Sequence, residues 1–100
     1  MFARILKVKF GLDGVDEAIR MFRESTIPGC KKQGGFREAY FLDDRETGEC
    51  VLITLWETQK DMLASEESHF FQNQLVKFMP LFRTPPIRES YEIVLDESKV

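Results

Sequence analysis

The side chains able to do chemistry in this chain are few: one histidine, His69, one tryptophan, Trp56, two cysteines, Cys30 and Cys50, and two tyrosines, one of them Tyr40. His69 carries an imidazole, whose ordinary pKa lies near neutrality, and is the candidate general base. Tyr40, Thr54 and Arg37 are candidate hydrogen-bond donors to a ligand. Trp56 closes a strand, where a large ring with one N–H can line a pocket or plug the space between a helix and a sheet. Each of the others also has a plain structural reading. His69 can cover the polar break before it, Tyr40 can pack in a core or an interface, and Lys7 and Lys9 can be a solvated strand edge. With a single histidine and no CxxC pair, these residue types offer no metal-ligand spacing, and no cofactor site is expected. Both cysteines read as reduced thiols.

These residues need elements to place them. Phe2 to Phe10 alternates as a strand, with Arg4, Leu6, Val8 and Phe10 on one side and Ala3, Ile5, Lys7 and Lys9 on the other. Asp13 is positioned to cap a helix with the stripe Val15, Ala18, Ile19 and Phe22, and Pro28 implies a kink or restart before Gly34-Gly35. Phe36 to Asp43 and Glu49 to Glu57 read as strands joined by the polar loop 44–48. Thr58 with Asp61 marks a capped helix start, and Ser65 to Ser68 a polar break. A second helical stretch follows with the core stripe Phe71, Leu75, Phe78, Met79 and Phe82. After Pro85-Pro86, Ile87 to Leu95 reads as a last strand. Strand, helix, strand, strand, helix, strand is the ferredoxin-like βαββαβ order, an α+β fold with both helices on one face of a four-stranded antiparallel sheet.

The run Cys-Val-Leu-Ile-Thr-Leu-Trp from Cys50 to Trp56 lacks the alternation of a strand with one wet face. Helices cover one side of it, either Val51, Ile53 and Leu55 or Leu52, Thr54 and Trp56. The other side requires a partner, and a homodimer packed sheet against sheet is expected.

Composition narrows the functional classes. One hundred residues, 43% hydrophobic and 31% charged, describe one globular domain over 1–100. The net charge of −3 and scattered Lys and Arg argue against a nucleic-acid footprint. No apolar run approaches the roughly 20 residues of a membrane span, and the N-terminus lacks the pattern of a secretory signal, so a cytoplasmic address is expected.

Several segments resemble one family: Asp16 to Ser25, then Pro28, Gly35-Phe36-Arg37-Glu38-Ala39-Tyr40, Leu52-Ile53-Thr54-Leu55-Trp56-Glu57-Thr58 and Ser68-His69-Phe70. In order and spacing they are similar to the antibiotic-biosynthesis-monooxygenase-like proteins, which are dimeric α+β barrels. That resemblance implies a cofactor-independent monooxygenase-like protein acting on a small aromatic or phenolic compound. The alternative is a non-catalytic homodimer of the same fold that binds a small ligand or another protein. In the family's quinone-forming members a Trp, an Asn and Tyr or Arg groups hold a phenolate while oxygen attacks its ring. The resemblance thus implies Trp56 bounding the ring, His69 as base and Tyr40 as donor, although no Asn accompanies Trp56 on its strand. Haem degradation is disfavoured, because Ser65 and Leu75 stand near the positions where the haem-degrading members carry a second Trp and a His.

Overall fold

The structure, a computed structural model, describes residues 1–99. Its order is β1 (Phe2–Lys9), α1 (Val15–Met21), a π-helical turn (Phe22–Thr26), α2 (Ile27–Lys31), β2 (Phe36–Asp43), β3 (Glu49–Trp56), α3 (Gln59–Glu67), α4 (Phe70–Phe78) and β4 (Ile87–Glu92). The strands lie in the order β2-β3-β1-β4, with every neighbouring pair antiparallel. This is the ferredoxin-like sheet expected from the element order, and it puts β1 and β3 in the interior.

Register decides which side chains meet the helices. Phe2 pairs with Trp56, Arg4 with Thr54, Leu6 with Leu52 and Val8 with Cys50. Of these, Arg4, Leu6, Val8, Cys50, Leu52 and Trp56 are buried. Because the side-chain period in a strand is two, Ala3, Ile5 and Lys7, opposite Leu55, Ile53 and Val51, take the other face. The main core joins Leu6, Val8, Phe10, Cys50 and Leu52 to Val15, Ala18 and Phe22 of the first helical arm and Phe78 of α4. A smaller cluster of Cys30, Trp56 and Met62 closes the other end. At the β2–β3 turn Gly48 has φ 79°, and a Cβ there would stand 2.2 Å from the Phe10 carbonyl oxygen, so only glycine fits.

Five local details differ from the sequence expectations. Asp13 does not cap α1: residues Leu12–Gly14 form a 3-10 turn that puts Gly14 at the N-cap, and Asp13 instead pairs with Arg83 at 3.6 Å. At Pro28 the helix neither stops nor restarts after a gap. The turn before it widens so that the Ile27 N–H reaches the Phe22 carbonyl, and this wider turn accommodates Pro28 in the first turn of α2. The break between α3 and α4 falls at Ser68 and His69, with His69 in the left-handed region at φ 66°. Met79 is 60% exposed, because Met79–Leu81 tightens into a 3-10 turn around Pro80 and leaves the stripe. The last strand ends at Glu92, and Val94 and Leu95 are 86% and 82% exposed. The capped start of α3 is as expected, with Thr58 Oγ1 accepting from the Asp61 N–H at 3.1 Å. No described helix is long and apolar enough to cross a membrane.

Candidate functional site

Between the sheet and the helices lies a cavity of about 50 Å³, walled by Leu6 and Leu52 from the sheet, Phe22 from the π-helical turn and Phe71, Leu75 and Phe78 from α4. Its polar groups are Arg4, Thr26, Cys30, Thr54 and Gln74. A cavity of about 150 Å³ holds a benzene ring, so an aromatic ligand enters this one only as the α4 side chains give way.

Arg4 dominates the site. It sits on the core phase of β1 and is 4% exposed, a charge placed where its strand neighbours are Leu6 and Val8. Its Nη2 donates to the Met62 carbonyl at 2.6 Å and to Ser65 Oγ at 2.8 Å, both on α3. The Phe71 ring lies 4.4 Å and the Trp56 ring 5.6 Å from its guanidinium carbon. Glu66 Oε2 stands 3.7 Å away, and Nε has no partner among the described residues. Burial pulls the Arg4 pKa below the ordinary guanidinium value, opposed by the Glu66 carboxylate, yet a guanidinium stays charged throughout the physiological range.

Thr54 faces Arg4 across the β1–β3 pair, and its Oγ1 accepts from Trp56 Nε1 at 3.0 Å. That bond uses a lone pair and leaves the Thr54 O–H to donate elsewhere. Thr26 Oγ1 donates to Gln74 Oε1 at 2.8 Å, tying the π-helical turn to α4 across one side of the cavity. Cys30, buried and unpaired, is pushed up to about 11 by burial, with Arg4 acting in the opposite sense. A thiol with a raised folded pKa contributes stability below its unfolded value and loses it as pH rises to the folded one. Unfolding stability should therefore fall between about pH 9 and about pH 11, with Cys50, pushed up to about 12 by burial, extending the fall. Chemical denaturation along an alkaline pH series checks this, and a Cys30→Ala variant should flatten the lower part of the curve.

Of the residues singled out from sequence, Trp56 and Thr54 meet at the edge of the cavity, and Tyr40, His69 and Arg37 lie elsewhere. Trp56 is wholly buried beside Met62 and Cys30, edge-on to Phe36 at 5.6 Å, and acts as the plug of the smaller cluster. Tyr40 lies on the open face of β2, 46% exposed, and donates to Glu38, whose carboxylate raises the phenol's pKa. His69 is exposed on the α3–α4 turn, where its carbonyl accepts from the Asn73 N–H at 2.9 Å. Arg37 sits at a bulge between Phe36 and Glu38 and pairs with Glu57. The residue missed was Arg4. Its signal was legible as a cation in phase with Leu6, Val8 and Phe10.

No protein-family model matches the sequence, and no curated protein matches it significantly. Solved structures do match over nearly the whole chain. A candidate antibiotic biosynthesis monooxygenase from Nitrosomonas europaea aligns at TM-score 0.77 and 16% identity, over 95% of this chain and 100% of that one. Another from Deinococcus radiodurans aligns at TM-score 0.78 and 10% identity, over 96% and 95%. The chain has the antibiotic-biosynthesis-monooxygenase-like fold. A variant of SnoaB, a cofactor-independent oxygenase from Streptomyces nogalater, shares that fold at TM-score 0.75 and 11% identity, over 96% and 95%. At these identities the likeness is one of backbone. The chemistry has to be argued from this chain's own cavity.

Proposed function

We propose that the chain is a cofactor-independent oxygenase-like protein that holds a small phenolic ring in the cavity beside Arg4. The observation that carries this reading is a buried guanidinium opening on an apolar cavity in a fold shared with a cofactor-independent oxygenase. A phenol reacts with oxygen as its anion, because deprotonation makes the ring electron-rich. A fixed cation in a dry site attracts that anion far more strongly than the same cation does in water, and Thr54 supplies a second donor. The phenolic proton leaves to solvent. The ring then loses a second hydrogen and gains one oxygen atom to become a quinone, the other oxygen atom leaving as water, so the substrate itself supplies the electrons. Trp56 orients Thr54, while His69 and Tyr40, outside the cavity, take no part. Oxygen uptake with a panel of hydroxynaphthalenes and quinols tests the reading, and absence of uptake across the panel would overturn it. The smallness of the cavity favours one alternative, a non-catalytic ligand-binding protein, for which the same compounds raise the melting temperature without turnover.

The working unit is proposed to be a homodimer. Ile5, Val51, Ile53 and Leu55 form the centre of the open sheet face, and Tyr40, Leu42, Ile87 and Tyr91 are exposed around it. An apolar patch of this kind on an otherwise charged molecule marks an interface, and two such sheets face to face bury more than about 1,000 Å² in total. Ile53→Lys, which places a charge at the centre of that patch, is expected to weaken dimerisation by roughly 100-fold or more. Sedimentation of wild type and variant checks it. A wild type that is monomeric at micromolar concentration would remove the dimer.

A further inference from the structure

The charge balance around Arg4 is incomplete, and it says what kind of ligand the cavity takes. A buried cation is stable only with a counter-charge or a full set of acceptors. Arg4 has two neutral acceptors, the Met62 carbonyl and Ser65 Oγ, both on the same nitrogen, while Nε has none among the described residues. The charged and titratable groups around it are Glu66 from α3, Arg88 from β4 and Cys30 from α2. Cys30 is a neutral thiol, held so by burial. Glu66 is shared unequally: Oε1 accepts from Arg88 Nη1 at 2.6 Å, whereas Oε2 is 3.7 Å from Arg4 Nη2. Both guanidiniums lie over Phe71, a wall of the cavity, at 4.4 Å for Arg4 and 5.5 Å for Arg88.

We propose that Glu66 is a displaceable internal counter-ion of Arg4, so that the cavity takes its ligand as an anion whose oxygen replaces the Glu66 carboxylate while Arg88 holds Glu66. The inference rests on the reading of this cavity as the phenol site, and it adds that Glu66 and Arg88 set the ligand's charge without touching the ligand. They are positioning residues with opposite effects. Removing the Glu66 charge leaves Arg4 wanting an anion more. Removing Arg88 returns Glu66 to Arg4, where it competes with the ligand.

The probe is 4-nitrophenol, whose anion and neutral form absorb at different wavelengths, with nitrobenzene as the control that cannot ionise. At a pH one unit below the free phenol's pKa, wild type should bind the probe as the yellow anion, with its apparent pKa lowered by about one unit or more. Glu66→Gln should tighten that binding by roughly 3- to 10-fold and Arg88→Gln weaken it by a similar factor, with nitrobenzene binding unchanged in both. Thermal melts confirm that each variant is folded. A merely structural network would weaken binding in both variants together. The proposal is overturned if the bound probe is neutral, if the two variants shift affinity in the same direction or not at all, or if the probe does not bind at millimolar concentration. Nitrophenolate binding without oxygen uptake from any phenol would overturn the oxygenase reading alone. Turnover with a neutral bound probe would overturn this inference alone.

Discussion

Arg4→Met is expected to leave the protein folded and at least as stable, while lowering kcat/KM for the proposed phenol oxygenation by about 100- to 1,000-fold. The two effects separate because Arg4 contributes a charge to the site and little net energy to the fold. Its guanidinium is buried against Phe71 and Trp56, and taking a cation out of water costs several kcal/mol that two neutral acceptors and a carboxylate at 3.7 Å only partly return. Methionine fills a similar volume against those rings without that cost. The partners left behind are not orphaned. Ser65 Oγ already donates to the Met62 carbonyl at 2.7 Å, and Glu66 keeps Arg88 at 2.6 Å. Thermal denaturation paired with oxygen uptake reads both halves. Unchanged turnover in a folded Arg4→Met protein would remove Arg4 from the chemistry, and a collapse in stability would show that its network holds the fold together.

Trp56→Ala is expected to cost about 3 to 5 kcal/mol of folding stability. For a chain of this length that is about a fifth or more of the total and corresponds to a fall of at least about 12 °C in melting temperature. The ring is completely buried, fills the space between Cys30 and Met62, and meets Phe36 edge-on at 5.6 Å, so truncation opens a void that a strand end held by β1 and β2 cannot collapse into. It also removes the donor that fixes Thr54 Oγ1. Urea denaturation measures the loss. A cost below about 1 kcal/mol would return Trp56 to the role of a pocket wall backed by solvent or ligand.

The likeness in fold to one cofactor-independent oxygenase and to candidate monooxygenases, at 10% to 16% identity, fits this division of labour. The backbone is carried by periodicity and turn chemistry, which many sequences satisfy, whereas the site depends on a few side chains that differ from chain to chain. Here the strand phase of β1 places an arginine in the cavity, and its counter-ion, Glu66, comes from α3 and is shared with Arg88 of β4.

By itself the sequence determined the element order, the antiparallel pairing of β2 with β3, the capped start of α3 at Thr58 and the two-faced character of β3. These follow from local causes: a side-chain period of two or 3.6, the missing N–H of proline, and a hydroxyl three residues ahead of an orphan N–H. Other features fell to tertiary structure. Ser65 reads as part of a polar break and is buried, because its hydroxyl accepts from Arg4, 61 residues away. Trp56, Tyr40 and His69, each a reasonable site residue by type, fall in the core, on the open sheet face and on an exposed turn. Arg4 becomes the charged wall of a cavity only when α3, α4 and β4 close around it. A charge on an apolar strand phase is written in the chain, but the acceptors 58 and 61 residues on that decide whether it is tolerated, and what remains for a ligand, exist only once the sheet and helices have packed.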